Sequence, residues 1–503
     1  MNDPRRPGPA PDPQRQALTP LLEAMVQYWH DGVARFHMPG HRGGPGACGR
    51  LRELMGEAAF ALDVTGVLGL DDPAQPRGPI REAHRLAAEA FGADFSFFLV
   101  NGTTAGVHAM VLATCRPGEQ LVVARNVHRS ILGAIILAGV VPVFVVPERD
   151  PHFGIPLGVT PEQVEQALER HPDARAVLLV SPTYHGICSD VAAIARAVHR
   201  RGKLLLVDEA HGAHLAFHPA LPAPSLWLGA DLCAQGAHKM LAAFTQASLL
   251  HGRAERVDPQ RVAAVLRVVH STSASYLLMA SIDAARMQMA TEGARLLEHA
   301  MELAEELRAR VRSVAGLETF GVEWVGRPGV AGLDPTKVTV RVASLGLTGY
   351  AVERWLRETG PVQAEMSELQ GLLFIVGFGN GPQDVARLAQ ALAHVAARSR
   401  ELSTPDMARL LQKAGELEGQ LPVPEMALPP REAFFAPSRA VPLEQACGRV
   451  CAEMVTCYPP GIPLLCPGER VSEAAVEYLQ LVRQAGLPVS GPRDPSLACL
   501  QVL

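Results

Sequence analysis

The 503-residue chain is 48% apolar and 19% charged, with a net charge of −5. That balance excludes a disordered chain and argues against a nucleic-acid or anionic-membrane surface as the main role, and the length predicts about two to four domains. Of its 46 basic residues only Lys203, Lys239, Lys337 and Lys413 are lysines, so chemistry that needs an amine has four candidates.

Residues 1–16 carry five prolines and no apolar signal-like run, and read as a disordered tail; 17–60 read as an N-terminal arm. From about Asp94 short apolar runs alternate with amphipathic segments. The predicted strands are Phe95–Val100, Gln120–Ala124, Val140–Val146, Ala176–Val180 and Lys203–Val207, then runs near Asp231–Ala234 and Ser248–His251. Helical patterns such as Pro161–Arg170 and Val191–Arg201 fall between them, which predicts an α/β large domain over 61–325 with a mostly parallel sheet. The uncharged run Ile131–Pro147 is broken by Gly133, Gly139 and Pro142 and is too short to span a bilayer. A long helix is expected over Tyr276–Val314. The pattern strand Lys337–Val342, helix Gly349–Glu358, strand Leu372–Val376, helix Pro382–Ala397 predicts a small α+β domain over 326–400. Residues 401–441 read as a helix and a proline-rich linker, and 442–503 as a C-terminal α+β module.

Nine cysteines without an export signal suggest reduced thiols in a cytoplasmic protein. Cys447, Cys451, Cys457 and Cys466 lack C-x2-C spacing and nearby histidines, so they read as buried structural thiols and no metal site is expected.

Four motifs carry chemistry. The first is the strand–turn–helix through Asn101-Gly102-Thr103-Thr104, where free backbone N–H groups and two hydroxyls would make an anion cradle. Alone, it reads more readily as a threonine N-cap. The second is KLLLVDEAH, a strand delivering Asp208 and Glu209 at its C-terminal end, followed by Ala210 and His211. The plainer alternative is a carboxylate capping the next turn. The third is Gln235-Gly236-Ala237-His238-Lys239, a lysine in an uncharged stretch suited to Schiff-base chemistry, or else a surface lysine whose stem lies on apolar neighbours. The fourth is Arg125-Asn126-Val127-His128, a histidine just after a strand, which alone is more often structural. Anion cradle, histidine, aspartate, histidine and lysine on successive strand ends together suit pyridoxal 5′-phosphate (PLP): cradle for the phosphate, aspartate for the ring nitrogen, a flat side chain for the ring face, lysine for the aldehyde.

FHMPGHRGG (Phe36–Gly44), LGLDD (Leu68–Asp72), FFLVNGTTAG (Phe97–Gly106), RNVHRS (Arg125–Ser130), SPTYHG (Ser181–Gly186), VDEAHGAH (Val207–His214), AHK (Ala237–Lys239), SYLLMASID (Ser275–Asp283) and YPPGIPLLCPGE (Tyr458–Glu469) resemble, in order, the bacterial ornithine/lysine/arginine decarboxylase family. The resemblance runs from about Leu18 to the C-terminus. It implies a fold-type-I, aspartate-aminotransferase-like PLP fold, without the N-terminal wing of larger relatives, and a homodimer or small multiple of it.

The resemblance also assigns roles. Lys239 would bond the cofactor aldehyde, Asp208 would pair with the ring nitrogen and His128 would stack on the ring. Gly102, Thr103 and Thr104 would hold the phosphate with His238 beside it, Ala210 would line the cofactor site, and His211 would sit near the ring hydroxyl. Glu365 would face the distal cation of the substrate, with Asp71, Asp72 and Glu469 in reserve. Two departures stand out. Gly236-Ala237 replaces the family's Ser-Thr, so a phosphate hydroxyl is expected to be lost, with Ser271, Thr272 or Ser273 as substitutes from a partner subunit. Gly66 stands where the family tends to have an acidic residue. The implied reaction is α-decarboxylation of arginine, lysine or ornithine in the cytoplasm, feeding polyamine synthesis, with no nucleic acid or membrane partner. Other Cα chemistry on the same scaffold and a non-catalytic relative are the alternatives.

Overall fold

The computed structural model describes residues 5–8, 10–418, 423–457 and 462–503. Parts of three expectations fall outside them: residues 1–4 and 9 of the tail, 419–422 of the linker, and 458–461 of the YPPGIPLLCPGE run. The chain divides into two compact units, 1–114 with 204–295, and 115–203 with 296–503. Both units draw on the 61–325 segment.

The first unit is built on four strands in the order Phe95–Leu99, Ser248–Gly252, Leu232–Gln235, Leu204–Asp208. The last two run parallel, with Asp208 opposite Ala234. Ser248–Gly252 is antiparallel to both its neighbours. Helix Gly102–Thr114 lies close on this sheet because Gly106 has no side chain. A Cβ there would sit 2.7 Å from Leu99 Cδ1 and 3.0 Å from Ala234 Cβ. The helix therefore starts close to the strand ends.

The N-terminal segment departs from expectation. Its described part is docked, not loose. Asp12 caps the helix Pro13–Gln16, and the fully buried Gln16 donates to Leu86 O at 3.1 Å. Arg5 donates to Leu221 O, and Arg6 to the carbonyls of Glu89 and Ala90. The latter carbonyls end the helix Pro79–Phe91, where a cation complements the exposed C=O groups. Prolines signalled disorder, but two arginines supply the anchors.

In the second unit Gln120–Ala124 lies between Val141–Val145 and Ala176–Val180, all parallel. Helices Arg129–Ala138, Pro161–Arg170 and Val191–Arg200 belong to the same unit. An antiparallel sheet of Glu318–Thr319, Lys337–Arg341, Gly371–Ile375 and Met366–Ser367 packs with helices Gly349–Thr359 and Pro382–Ala397 on a core that includes Val338, Leu356, Phe374 and Leu392. Lys337 is fully buried and donates to Asp334 Oδ2 at 3.1 Å. The C-terminal module has its own core around Leu443, Leu465, Leu479 and Leu500, with helix Glu473–Gln484. Cys451 and Cys466 are buried in this module, whereas Cys447 is exposed. Among the described residues no helix is long and apolar enough to cross a membrane.

Candidate active site

In the first unit the strand ends bring four of the expected residues into one cluster. Strand Leu204–Asp208 is buried at every position, so its C-terminal residue arrives below the surface. Asp208 accepts from Ala210 N–H at 3.1 Å. Burial pushes its carboxyl up, against the opposing Lys239 charge and the Ala210 N–H. A carboxylate so placed calls for a cation, which a protonated ring nitrogen would supply. Two strands' ends then meet. Lys239 lies on the short helix Ala237–Met240 that follows strand Leu232–Gln235, and its Nζ stands 2.9 Å from Nε2 of the buried His211. At that distance a proton can rest on either nitrogen.

The anion end is built separately. Helix Gly102–Thr114 opens directly after strand Phe95–Leu99, with Gly102 at φ 71°. Thr103 Oγ1 is 3.1 Å from Ser248 Oγ. His238 Nδ1 donates to Ala247 O at 2.9 Å, and burial holds its pKa below the usual histidine value. Thr104 is exposed. Ser271 N–H donates to Asn101 Oδ1 at 3.2 Å, which puts the start of the Ser271–Ser273 loop beside this helix end within the same chain. Lys239, His211, Asp208 and the threonine-bearing helix end thus supply an amine, a histidine, a buried carboxylate and an anion-binding end, the set PLP requires.

The Gly236 departure has a steric side. A Cβ on Gly236 would meet Ala210 O at 2.8 Å and Lys239 Cδ at 3.1 Å. A serine there would press on both the candidate lysine and the residue after the pair Asp208-Glu209.

The remaining expected residues lie in the second unit. His128 caps helix Arg129–Ala138, and its Nδ1 accepts from Ser130 N–H at 3.2 Å, which fixes the ring's orientation. Glu365 is exposed and lines a cavity of about 380 Å³ with Gln363, Asn380, Asp384 and Arg387. Two reserve residues are committed elsewhere. Glu469 is fully buried and accepts from Arg125 at 3.0 Å and from Cys466 N–H at 2.7 Å. In the first unit, Asp71 gathers backbone N–H groups of Asp72, Arg77 and Gly78 and so organises its own loop. These are structural duties that leave little for a substrate cation.

Sequence reasoning placed Glu209 beside Asp208 at the strand end but gave it no role. It is fully buried and accepts from Ser225 N–H, Ser225 Oγ–H and Gln235 Nε2–H, each at 2.7 Å. Gln235 in turn accepts from His251 Nε2 at 3.2 Å, and His251 Nδ1 meets Ser96 Oγ at 2.6 Å. One hydrogen-bonded line therefore runs from the residue after strand Leu204–Asp208 through the other three strands. Burial pushes Glu209 up to about 7. The one signal in the sequence was a second carboxylate next to Asp208.

Comparison with known proteins gives a consistent result. Residues 19–384 match the family model described as Orn/Lys/Arg decarboxylase, major domain, and 414–491 match that for the Orn/Lys/Arg decarboxylase C-terminal domain. The chain is 41% identical over 489 residues to an arginine decarboxylase of Bacillus subtilis, covering 97% of this chain and 98% of the relative. It is 41% identical over 495 residues to an arginine decarboxylase of Halalkalibacterium halodurans, with 97% and 98% covered. The solved structure of lysine decarboxylase A from Pseudomonas aeruginosa superposes with a TM-score of 0.84 at 25% identity, covering 97% of this chain and 81% of that one.

Proposed function

We propose that this chain, which belongs to the Orn/Lys/Arg decarboxylase family, acts on arginine. Decarboxylation of a basic amino acid with PLP is the chemistry of that family, and the chain is a carboxy-lyase. The observation that carries the reading of the site as a PLP site is the pairing of Lys239 Nζ with His211 Nε2 at 2.9 Å in a cluster with the buried Asp208. Two relatives at 41% identity named arginine decarboxylases support arginine over lysine.

Bound PLP supplies the electron sink that accepts the pair left behind as CO2 departs. The chain's residues do the rest. The buried Asp208 would pair with the ring nitrogen and keep a proton there, and a low-polarity surrounding would strengthen that pairing. Lys239 is the amine that would hold the cofactor aldehyde. The His211 Nε2 contact lets Lys239 Nζ give up or recover a proton, so the same amine can protonate Cα after CO2 leaves. Gly102, Thr103, Thr104 and His238 would hold the phosphate, Ala210 would line the ring's place, and His128 is assigned the ring face by the family resemblance alone. Glu365 takes the guanidinium. The product amine enters polyamine synthesis in the cytoplasm. A homodimer is part of this reading, supported by apolar side chains such as Phe36 and Leu68 that are 95% and 100% exposed in the single chain.

The test is CO2 release from arginine, lysine and ornithine, compared by kcat/KM on the purified protein. Arginine should exceed the other two by at least about tenfold. Equal rates on lysine would overturn the substrate assignment. Glu365→Gln should raise KM for arginine while leaving the absorbance of the bound cofactor intact.

A further inference from the structure

The anion end has an unexplained partner. Ser248 is fully buried at the start of strand Ser248–Gly252, and its hydroxyl lies 3.1 Å from Thr103 Oγ1 and 3.4 Å from Gln246 O. Its neighbour Ala247 receives both the backbone N–H of His238, at 3.1 Å, and His238 Nδ1, at 2.9 Å. The dipeptide Ala247-Ser248 therefore touches both Thr103 and His238, one from each side.

A threonine that is to donate to a phosphate oxygen must direct its single proton outward. It does so best when its own lone pair accepts from behind. Ser248 has one proton and two acceptors within reach, and the Thr103 oxygen is the nearer. Ser248 O–H to Thr103 Oγ1 leaves the Thr103 proton free to point toward the helix N-terminus. With Ser248 removed, Thr103 would be free to turn its proton inward.

Resting on the reading of Thr103 as a phosphate ligand, we infer that Ser248 is a positioning residue for the cofactor phosphate: it orients the Thr103 hydroxyl as a donor. This chain lacks a hydroxyl at Gly236, so that orientation bears more of the phosphate binding than it would with a serine there.

The experiment resolves holoenzyme of its cofactor and titrates it with PLP and, separately, with pyridoxal, which lacks the phosphate. Absorbance of the lysine-bound cofactor reports both. Ser248→Ala should raise the Kd for PLP about tenfold and leave that for pyridoxal unchanged, since the Thr103 hydroxyl is no longer held as a donor to a charged group. Ser248→Cys, similar in size and a weaker donor, should fall between. Unchanged PLP affinity in both variants overturns the inference. So does a parallel loss of PLP and pyridoxal binding, which would mark a role in the fold alone. Wild-type protein that takes up neither compound overturns the cofactor assignment of Lys239 beneath it, a failure distinct from the other two.

Discussion

Lys239 Nζ and His211 Nε2 are 2.9 Å apart, and each stands on a segment that follows a different, adjacent strand of the first unit. If this pair moves the proton, His211→Gln should keep the lysine-bound cofactor absorbance but lower kcat by about a hundredfold, the range for loss of a positioned acid–base group. Stopped-flow with arginine checks it. A variant within threefold of wild type would show the histidine to be a spectator.

Glu209 makes stability depend on pH in an unusual direction. Its folded-state pKa, about 7, lies above the ordinary carboxyl value of 4.5. Between those values the folded protein binds the extra proton, so stability should fall as pH rises from about 4.5 to 7 and level off above. The contribution is a few kcal/mol at most, by the rule of about 1.4 kcal/mol for each pH unit. In Glu209→Gln that slope should flatten, whatever the absolute stability becomes. Urea unfolding at a series of pH values measures it.

Gly236→Ser tests whether the missing hydroxyl can simply be put back. With 2.8 Å to Ala210 O and 3.1 Å to Lys239 Cδ, the new Cβ displaces the lysine stem. PLP affinity should weaken severalfold instead of tightening, seen in the same titration.

Arg125 and Glu469 form a pair whose side chains are 11% and 0% exposed. Removing one partner leaves a buried charge, so Arg125→Met should destabilise the chain by about 3–5 kcal/mol. The drop in Tm should shrink in the double variant with Glu469→Gln, because the orphaned charge is then gone.

Much of this was legible in the sequence, for physical reasons. Helix Pro161–Arg170 appears at the predicted bounds because a threonine capping box, a proline at its start and an amphipathic pattern agree. Each expected strand exists. The direction of Ser248–Gly252 was not legible, because an apolar run reads alike both ways along a sheet. That Asp208, His211 and Lys239 would share one sheet edge was legible from motifs at strand ends, where chemistry needs particular residue types. The line through Glu209, Gln235, His251 and Ser96 was not, since those residues come from three strands and the end of a fourth and share no spacing. Residues such as Glu469 misled for a related reason: a carboxylate in sequence shows no sign of already being paired.

The buried Lys337 has a practical consequence. It is sealed at 0% exposure, so amine-directed reagents meet a folded chain in which only three lysines remain for them, at positions 203, 239 and 413. Reductive trapping of the cofactor aldehyde followed by cleavage at arginine would then read out against few competing amines. Cleavage at arginine leaves Lys203 and Lys239 together on the fragment 202–253 and Lys413 on another, so a mass shift on the first narrows the label to two lysines and fragment sequencing tells them apart.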